Sequence, residues 1–157
     1  MKLIIFDLDQ TIVEMFKFHN KATEETFQAL FDEDMHAKLL ESGKFRFSQK
    51  ALQAALLINL YRDQPLFQLP FQLLTVLGDL DEVLTTWRYR HSLLALRMIG
   101  TKIGSGGTSG HQYLLSTVES QKIFSDIFEL STFLIPRSAL PPLPDEIRKQ
   151  LSFSYSL

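Results

Sequence analysis

The longest helical pattern of this sequence, residues 71–100, reads FQLLTVLGDLDEVLTTWRYRHSLLALRMIG. The pattern predicts one long helix from about Phe71 to Ile99. Gly100 is its predicted stop, because glycine readily adopts the left-handed conformation that ends helices. Gly78 is a weak point inside the helix, since glycine loses more backbone entropy than other residues. The stretch therefore indicates a mainly α, helical protein.

Helical patterns also precede this stretch. Residues 21–42 predict a helix that ends at Gly43, and Ser48 predicts the N-cap of another helix that runs through Tyr61. The apolar residues predicted on or near one face of that second helix are Leu52, Ala55, Leu56 and Leu60. Little strand signal follows residue 45, so the helical interpretation extends over most of the chain.

A further helix is predicted after the long one. Ser116 and Glu119 have the spacing of a capping box, in which each side chain bonds the backbone of the other residue. This predicts a helix that begins at Ser116 and is closed by Pro136. Its predicted buried stripe consists of Phe124, Ile127, Phe128 and Leu134.

The composition is that of an ordinary folded protein. The chain has 157 residues, 45% of them hydrophobic, with 16 Lys+Arg against 18 Asp+Glu and a formal net charge of −2. This near-neutral balance argues against a nucleic-acid binder, and no apolar run reaches the ~20 residues of a membrane span. The sequence contains no cysteine, which excludes disulfides and thiolate ligands and fits a cytoplasmic protein.

His91 is the residue of the long helix best suited to bind a metal cofactor. Trp87, His91, Leu94 and Met98 share one helix face, at spacings of four, three and four. A neutral imidazole among apolar residues is a good axial ligand for haem iron. The alternative is a packed or exposed histidine without a ligand.

The loop that follows is rich in glycine. Residues 100–110 read GTKIGSGGTSG and contain five of the seven glycines in the chain. Clustered glycines let a backbone approach a ligand and point successive N–H groups at an anion. The loop is not a phosphate-binding P-loop, since no Gly-Lys-Ser/Thr ends it, and Ser109 replaces the third glycine of a dinucleotide-binding motif. A flexible surface linker is the alternative.

Taken together, these two features have a more specific interpretation. Residues 87–91 read WRYRH, residues 97–100 read RMIG and residues 104–110 read GSGGTSG. In this order they resemble the signature of the haem-dependent tryptophan 2,3-dioxygenase family. The resemblance covers about residues 31–157 and corresponds to the C-terminal half of that family.

The resemblance implies a mostly helical fold, haem b as cofactor and a homo-oligomer, usually a tetramer. The implied reaction inserts both atoms of O2 into the indole ring of L-tryptophan and yields N-formylkynurenine. On the matching positions, His91 would be the proximal iron ligand. Trp87 and Tyr113 would lie beside the haem.

The substrate side follows from the same resemblance. Ser105 stands where the family has a threonine that contacts the amino acid, Ile99 would wall the pocket, and Gly106 belongs to a loop that closes over the substrate. The family's distal histidine and its substrate-clasping arginine come from its first half, which residues 31–157 do not match. We therefore expect weak or no dioxygenase activity from this chain alone, or a separate chain that supplies the missing half.

The N-terminal segment has a different resemblance. Residues 1–13 read MKLIIFDLDQTIV, in which Leu3–Phe6 predicts a buried strand that delivers Asp7 and Asp9 to the following loop. Two such carboxylates can bind Mg²⁺ and act as nucleophile and acid/base. Residues 1–30 thus resemble the start of a haloacid dehalogenase-like hydrolase, although the later motifs of that family are absent.

Three functions remain open from the sequence. The first is a haem-dependent dioxygenase of the tryptophan 2,3-dioxygenase type, and the second is a Mg²⁺-dependent phosphohydrolase that uses Asp7 and Asp9. The third is a non-catalytic fragment that self-associates through exposed apolar helix faces. None of the three predicts a nucleic-acid or membrane partner.

Overall fold

The structure is a computed structural model that describes residues 21–104 and 106–143. The described α-helices are α1 (Lys21–Gln28), α2 (Glu33–Glu41), α3 (Gln49–Leu60), α4 (Pro65–Ile99), α5 (Gly110–Ser120) and α6 (Ser125–Glu129). Two 3₁₀ helices, Leu130–Phe133 and Arg137–Ala139, follow. Within these residues the β pairing is one isolated bridge, Ile103 to Ser109. The predicted mainly α fold is confirmed, whereas the predicted strand over residues 3–6 lies outside the described residues.

The chain divides into two compact units, residues 1–72 with 126–157 and residues 73–125. The first unit has a hydrophobic core in which Phe27 and Phe133 are each 1% exposed and their rings lie 5.2 Å apart. The other buried hydrophobic residues of this core are Ala29, Leu30, Phe45, Leu52, Ala55, Leu56, Leu60, Tyr61, Phe67, Leu130, Ile135 and Leu143. None of the helices in the described part of the chain is both long and apolar enough to cross a membrane.

The prediction of one helix over residues 21–42 is wrong, because the helical conformation is interrupted between α1 and α2. Asp32 has extended backbone angles, φ −103° and ψ 115°, and its side chain accepts a hydrogen bond from Met35 N at 2.9 Å. A residue that caps a helix in this way cannot itself continue the preceding helix. The predicted end is confirmed, since Gly43 has φ +74° directly after the C-cap Ser42.

Helix α3 confirms its prediction closely. Ser48 has extended backbone and accepts a hydrogen bond from Ala51 N at 3.3 Å, so the serine satisfies one of the free N–H groups at the helix start. The predicted apolar face is buried, with Leu52 only 1% exposed. The helix ends at Leu60, one residue before the predicted end.

Helix α4 begins at Pro65, six residues before the predicted start. Proline is well tolerated at a first helical position because its missing N–H has no partner there. Pro70 then lies inside the helix, where it removes one backbone hydrogen bond. Gly100, with φ +65°, ends the helix as predicted.

The prediction that a helix begins at Ser116 is wrong. Helix α5 begins at Gly110, and Ser109 acts as its cap because Ser109 Oγ accepts a hydrogen bond from Gln112 N at 3.2 Å. Ser116 lies inside the helix, and its hydroxyl donates to the carbonyl of Tyr113 at 2.7 Å. Serine favours both helix caps and such local bonds, so the residue pattern alone picked the wrong cap.

The predicted buried stripe downstream is also wrong. Helix α6 has five residues and Phe128 on it is 47% exposed, while Asp126 is 2% exposed. The Asp126 carboxylate accepts hydrogen bonds from Arg46 N at 2.6 Å and Phe47 N at 3.3 Å. These bonds turn the aspartate inward, so the buried apolar residues are instead Leu130 and Phe133 of the following 3₁₀ helix.

Candidate functional site

The second unit is built on an antiparallel pair of helices. His111 Nδ1 of α5 lies 2.9 Å from the carbonyl oxygen of Ser92 on α4. Farther along, the two carboxylate oxygens of Asp81 accept hydrogen bonds from Ile123 N at 3.1 and 2.9 Å. Ser92 thus pairs with His111, and the earlier Asp81 pairs with the later Ile123, so the two segments run antiparallel. The part of α4 beyond residue 72 and α5 therefore form a helical hairpin.

His91 lies on a face of α4 that the hairpin leaves exposed. Its ring stacks on the indole of Trp87, with centroids 5.4 Å apart and planes inclined by 18°. Trp87 is 60% exposed and Met98, farther along the same face, is 76% exposed. The face predicted from the spacing is therefore formed, and a flat ligand can reach the His91 imidazole.

An apolar row continues this face towards the start of the second unit. We call it the α4 stripe, and its members are Leu73, Val76, Leu80, Val83, Trp87, Leu94 and Met98. All seven are between 49% and 76% exposed. The four residues before Trp87 were not predicted as part of this face, although their spacing of three and four is typical of an apolar helix face. His91 therefore lies within a long hydrophobic surface and not at an isolated position.

The glycine-rich loop is an ordered turn over its described residues. Gly104 N donates to Thr108 O at 3.0 Å, and Gly107 N donates to Gly104 O at 3.1 Å. Gly107 has φ +80°, a conformation that side chains with a Cβ disfavour. Gly106 is exposed, and Ser105 lies outside the described residues. The hydrogen bonds favour a shaped loop over an open linker.

The loop closes where the two helices meet. A Cβ atom added to Gly110 would lie 3.2 Å from Ile99 Cδ1, so glycine permits a close approach between the end of α4 and the start of α5. Ile99 is 48% exposed and Tyr113, on the first turn of α5, is 63% exposed. The second unit thus carries all of the described candidates for cofactor and substrate binding, while Asp7 and Asp9 lie outside the described residues.

The side chains available as metal ligands indicate which kind of metal group this unit fits. In the described ranges, no group of three or more His, Asp or Glu side chains is placed to hold a metal ion. Zinc and magnesium sites need several such ligands. Haem needs one axial imidazole in an apolar setting, because the macrocycle supplies the other four nitrogen ligands. His91 and the α4 stripe fit that requirement.

Known proteins similar to this chain are tryptophan 2,3-dioxygenases. The family model described as tryptophan 2,3-dioxygenase matches residues 2–134. The tryptophan 2,3-dioxygenase of Bdellovibrio bacteriovorus is 56% identical over 133 residues, which are 85% of this chain and 37% of that protein. The enzyme of Dictyostelium discoideum is 45% identical over 152 residues, 96% of this chain and 38% of that protein. Tryptophan 2,3-dioxygenase B of Danio rerio is 55% identical over 126 residues, 80% of this chain and 31% of that protein.

Two features of these matches bear on the domain prediction. The chain spans between 31% and 38% of the length of these curated relatives. The family match begins at residue 2, earlier than the resemblance that starts near residue 31. The assignment of residues 1–30 to a hydrolase-like segment stays a prediction.

Proposed function

The chain belongs to the tryptophan 2,3-dioxygenase family, and from that premise we propose that its second unit binds haem b through His91. The family is haem-dependent, and the unit offers one exposed imidazole on a hydrophobic face. The observation that carries the proposal is the stacked pair of Trp87 and His91 within the α4 stripe. We further propose L-tryptophan and O2 as the substrates.

Bound haem would supply the iron chemistry by which O2 opens the indole ring of tryptophan to N-formylkynurenine. The role of Trp87 is to position the ligand. Its indole ring lies flat against the His91 imidazole at 5.4 Å, which restrains the imidazole plane and covers one side of it. Tyr113, exposed on α5, would flank the cofactor.

The loop and its neighbours would bind the substrate. Ile99 offers an apolar wall at the end of α4, and Gly106 and Ser105 offer backbone and hydroxyl groups to the polar end of the amino acid. The base of this loop is held by the hydrogen bond from Gly104 N to Thr108 O. Closure of its tip would exclude water from the reacting ring.

The length of the matching relatives bears on activity. Since the matched stretch covers 37% of the Bdellovibrio protein, most of the family's fold lies in regions with which this chain was not aligned. We propose that this 157-residue stretch alone has weak or no dioxygenase activity, and that full activity requires the remainder of the family's fold and assembly into a homo-oligomer. We propose a cytoplasmic location on the sequence arguments given above.

Haem titration followed by visible absorption tests the cofactor proposal. The wild-type chain is expected to develop the intense band of histidine-ligated haem, His91→Ala to lose it, and added imidazole to restore it by replacing the missing ligand. His111→Ala is the matched control, because His111 belongs to the same unit but is bonded to the Ser92 carbonyl. A band that survives in His91→Ala and is lost in His111→Ala contradicts the proposal.

A further inference from the structure

We propose that a cavity in the first unit binds a small polar α-amino acid through the ammonium and carboxylate groups that such a molecule carries. The cavity has a volume of about 280 Å³, close to the lower limit of ~300 Å³ for small-molecule sites. We call it the Lys44 cavity, and the described residues that line it are Thr23, Thr26, Lys44, Glu129, Thr132 and Phe133. All of them belong to the first unit, so the inference does not rest on haem binding by the second.

The floor of the Lys44 cavity is part of a packed core. Thr26 is 6% exposed and Phe133 is 1% exposed, and the Phe133 ring lies 5.2 Å from the ring of Phe27 on α1. Buried side chains in such a core are held in place by close packing. The cavity is therefore shaped by this chain itself, unlike the open apolar face of α4.

A positive charge is held at the wall of the cavity. Lys44 Nζ donates a hydrogen bond to Thr26 Oγ1 at 2.8 Å, and this bond ties the flexible lysine side chain to the floor. An ammonium group has three N–H donors, so two remain for a ligand. Lys44 forms no ion pair with any of the described residues, which leaves its charge available to an anionic group.

A negative charge lines the same cavity. Glu129, at the end of α6, is exposed, and its carboxylate has no ion-pair partner within the described part of the chain. A simple anion in the cavity would be repelled by Glu129, and a simple cation would be repelled by Lys44. A molecule that carries both charges satisfies both residues. The carboxylate of an α-amino acid would bind Lys44, and its ammonium group would bind Glu129.

The hydroxyl groups of the lining select the side chain of the ligand. Thr23 is half-buried and Thr132 is exposed, and each hydroxyl can both donate and accept a hydrogen bond. A polar side chain can bond these hydroxyls, whereas an apolar side chain would displace their water without replacing its hydrogen bonds. L-Glutamine therefore fits the cavity better than L-leucine, which has a similar size.

Isothermal titration calorimetry of the full chain with L-glutamine tests the site. Lys44→Met and Glu129→Gln are each expected to weaken binding by about tenfold or more, because each removes a hydrogen bond between charged groups. Lys38→Met and Glu41→Gln are the matched controls, since both residues are exposed on α2 and neither is in the described lining; these variants should bind like the wild type. Lys44 and Glu129 are also exposed, so their variants should fold, which circular dichroism checks.

Modified ligands assign each charge to its residue. L-Glutamine α-amide lacks the carboxylate and should bind the wild type no more tightly than L-glutamine binds Lys44→Met. Nα-Acetyl-L-glutamine lacks the ammonium group and should bind no more tightly than L-glutamine binds Glu129→Gln. L-Leucine is expected to bind at least about tenfold more weakly than L-glutamine, because it leaves the hydroxyls unpaired.

Three results would overturn the proposal. They are no binding of L-glutamine by the wild type at millimolar concentration, equal affinity for L-glutamine and its α-amide, and equal affinity for L-glutamine and L-leucine. A loss of binding in Lys38→Met as large as that in Lys44→Met would also contradict it. The haem titration concerns the second unit and is unaffected by these results, so failure of the amino-acid site and failure of haem binding are distinguishable.

Discussion

The two units of this chain use their hydrophobic residues in opposite ways. Within the described ranges, every fully buried hydrophobic residue belongs to the first unit. The side chains that the second unit buries as completely are polar, namely Asp81, Ser92 and Ser109. Except for Leu40, Leu69 and Phe128, the large hydrophobic residues exposed in the described chain belong to the second unit. The first unit is therefore stabilised by its own core, whereas the second leaves most of its large apolar side chains exposed.

Each unit contains a buried aspartate that accepts hydrogen bonds from the backbone of a distant segment. Asp126 accepts hydrogen bonds from two successive backbone N–H groups, those of Arg46 and Phe47, in the first unit. In the second unit, Asp81 Oδ2 accepts hydrogen bonds from Ile123 N and Phe124 N, each at 2.9 Å. Because backbone N–H groups need partners when buried, each carboxylate fixes the path of a distant segment. The units therefore differ in how they form a hydrophobic core, but both use a buried aspartate to hold a distant segment of backbone.

The largest expected effect is on the core of the first unit. Phe133→Ala removes a ring that is 1% exposed and packed on Phe27, so the free energy of unfolding should fall by about 3–5 kcal/mol. Leu80→Ala in the α4 stripe removes a side chain that is half exposed and should change stability by less than about 1 kcal/mol. Denaturant unfolding of the apo chain under monomeric conditions measures both. Equal losses in the two variants would contradict the contrast between the units.

The next largest effect is on the buried aspartate of the second unit. Asp81→Ala leaves two backbone N–H groups without their acceptor, which should cost about 2–3 kcal/mol. Asp79→Ala is the matched control, because Asp79 is exposed two residues earlier on the same helix. Hydrogen exchange should accelerate at Ile123 and Phe124 in the first variant alone. Unchanged protection of these amides in Asp81→Ala would show that the carboxylate does not hold this segment.

A smaller effect is expected where the loop closes. Gly110→Ala places a Cβ 3.2 Å from Ile99 Cδ1, and since that methyl is the end of a movable side chain, the cost should be about 1 kcal/mol. Gly106→Ala meets nothing within 4 Å and is the control in the same loop. Thermal unfolding followed by circular dichroism compares them. If Gly106→Ala is the more destabilising of the two, close packing against Ile99 is not the reason for the glycine at position 110.

Sequence patterns predicted elements whose signals are local and failed where several residues competed for one role. The cap at Ser48 and the stop at Gly100 are confirmed, since each depends on one residue and its immediate neighbours. Asp32 was missed as a cap because residues 21–42 were interpreted as one continuous helix. Ser109 was missed because Ser116 has the fuller capping-box pattern. Burial of Asp126 depends on a segment eighty residues away in the chain, which no local pattern reveals.

The shared face of Trp87 and His91 was predicted from the sequence, whereas the surroundings of that face were not. The spacing of Trp87 and His91 identified a shared face, and the structure places their rings in contact. Exposure of that face depends on which other segments cover it, and periodicity cannot tell a covered apolar face from an open one. The roles of Ser105 and of Asp7 and Asp9 stay predictions, because these residues lie outside the described ranges.

Pulsed electron paramagnetic resonance of the haem-loaded chain, labelled with ¹⁵N-histidine, tests the central proposal most directly. Ferric haem in the wild type is expected to couple to one histidine ¹⁵N, since His91 is the proposed ligand. The coupling should persist in His111→Ala and vanish in His91→Ala. A coupling that persists unchanged in His91→Ala would contradict the proposal that this residue holds the haem.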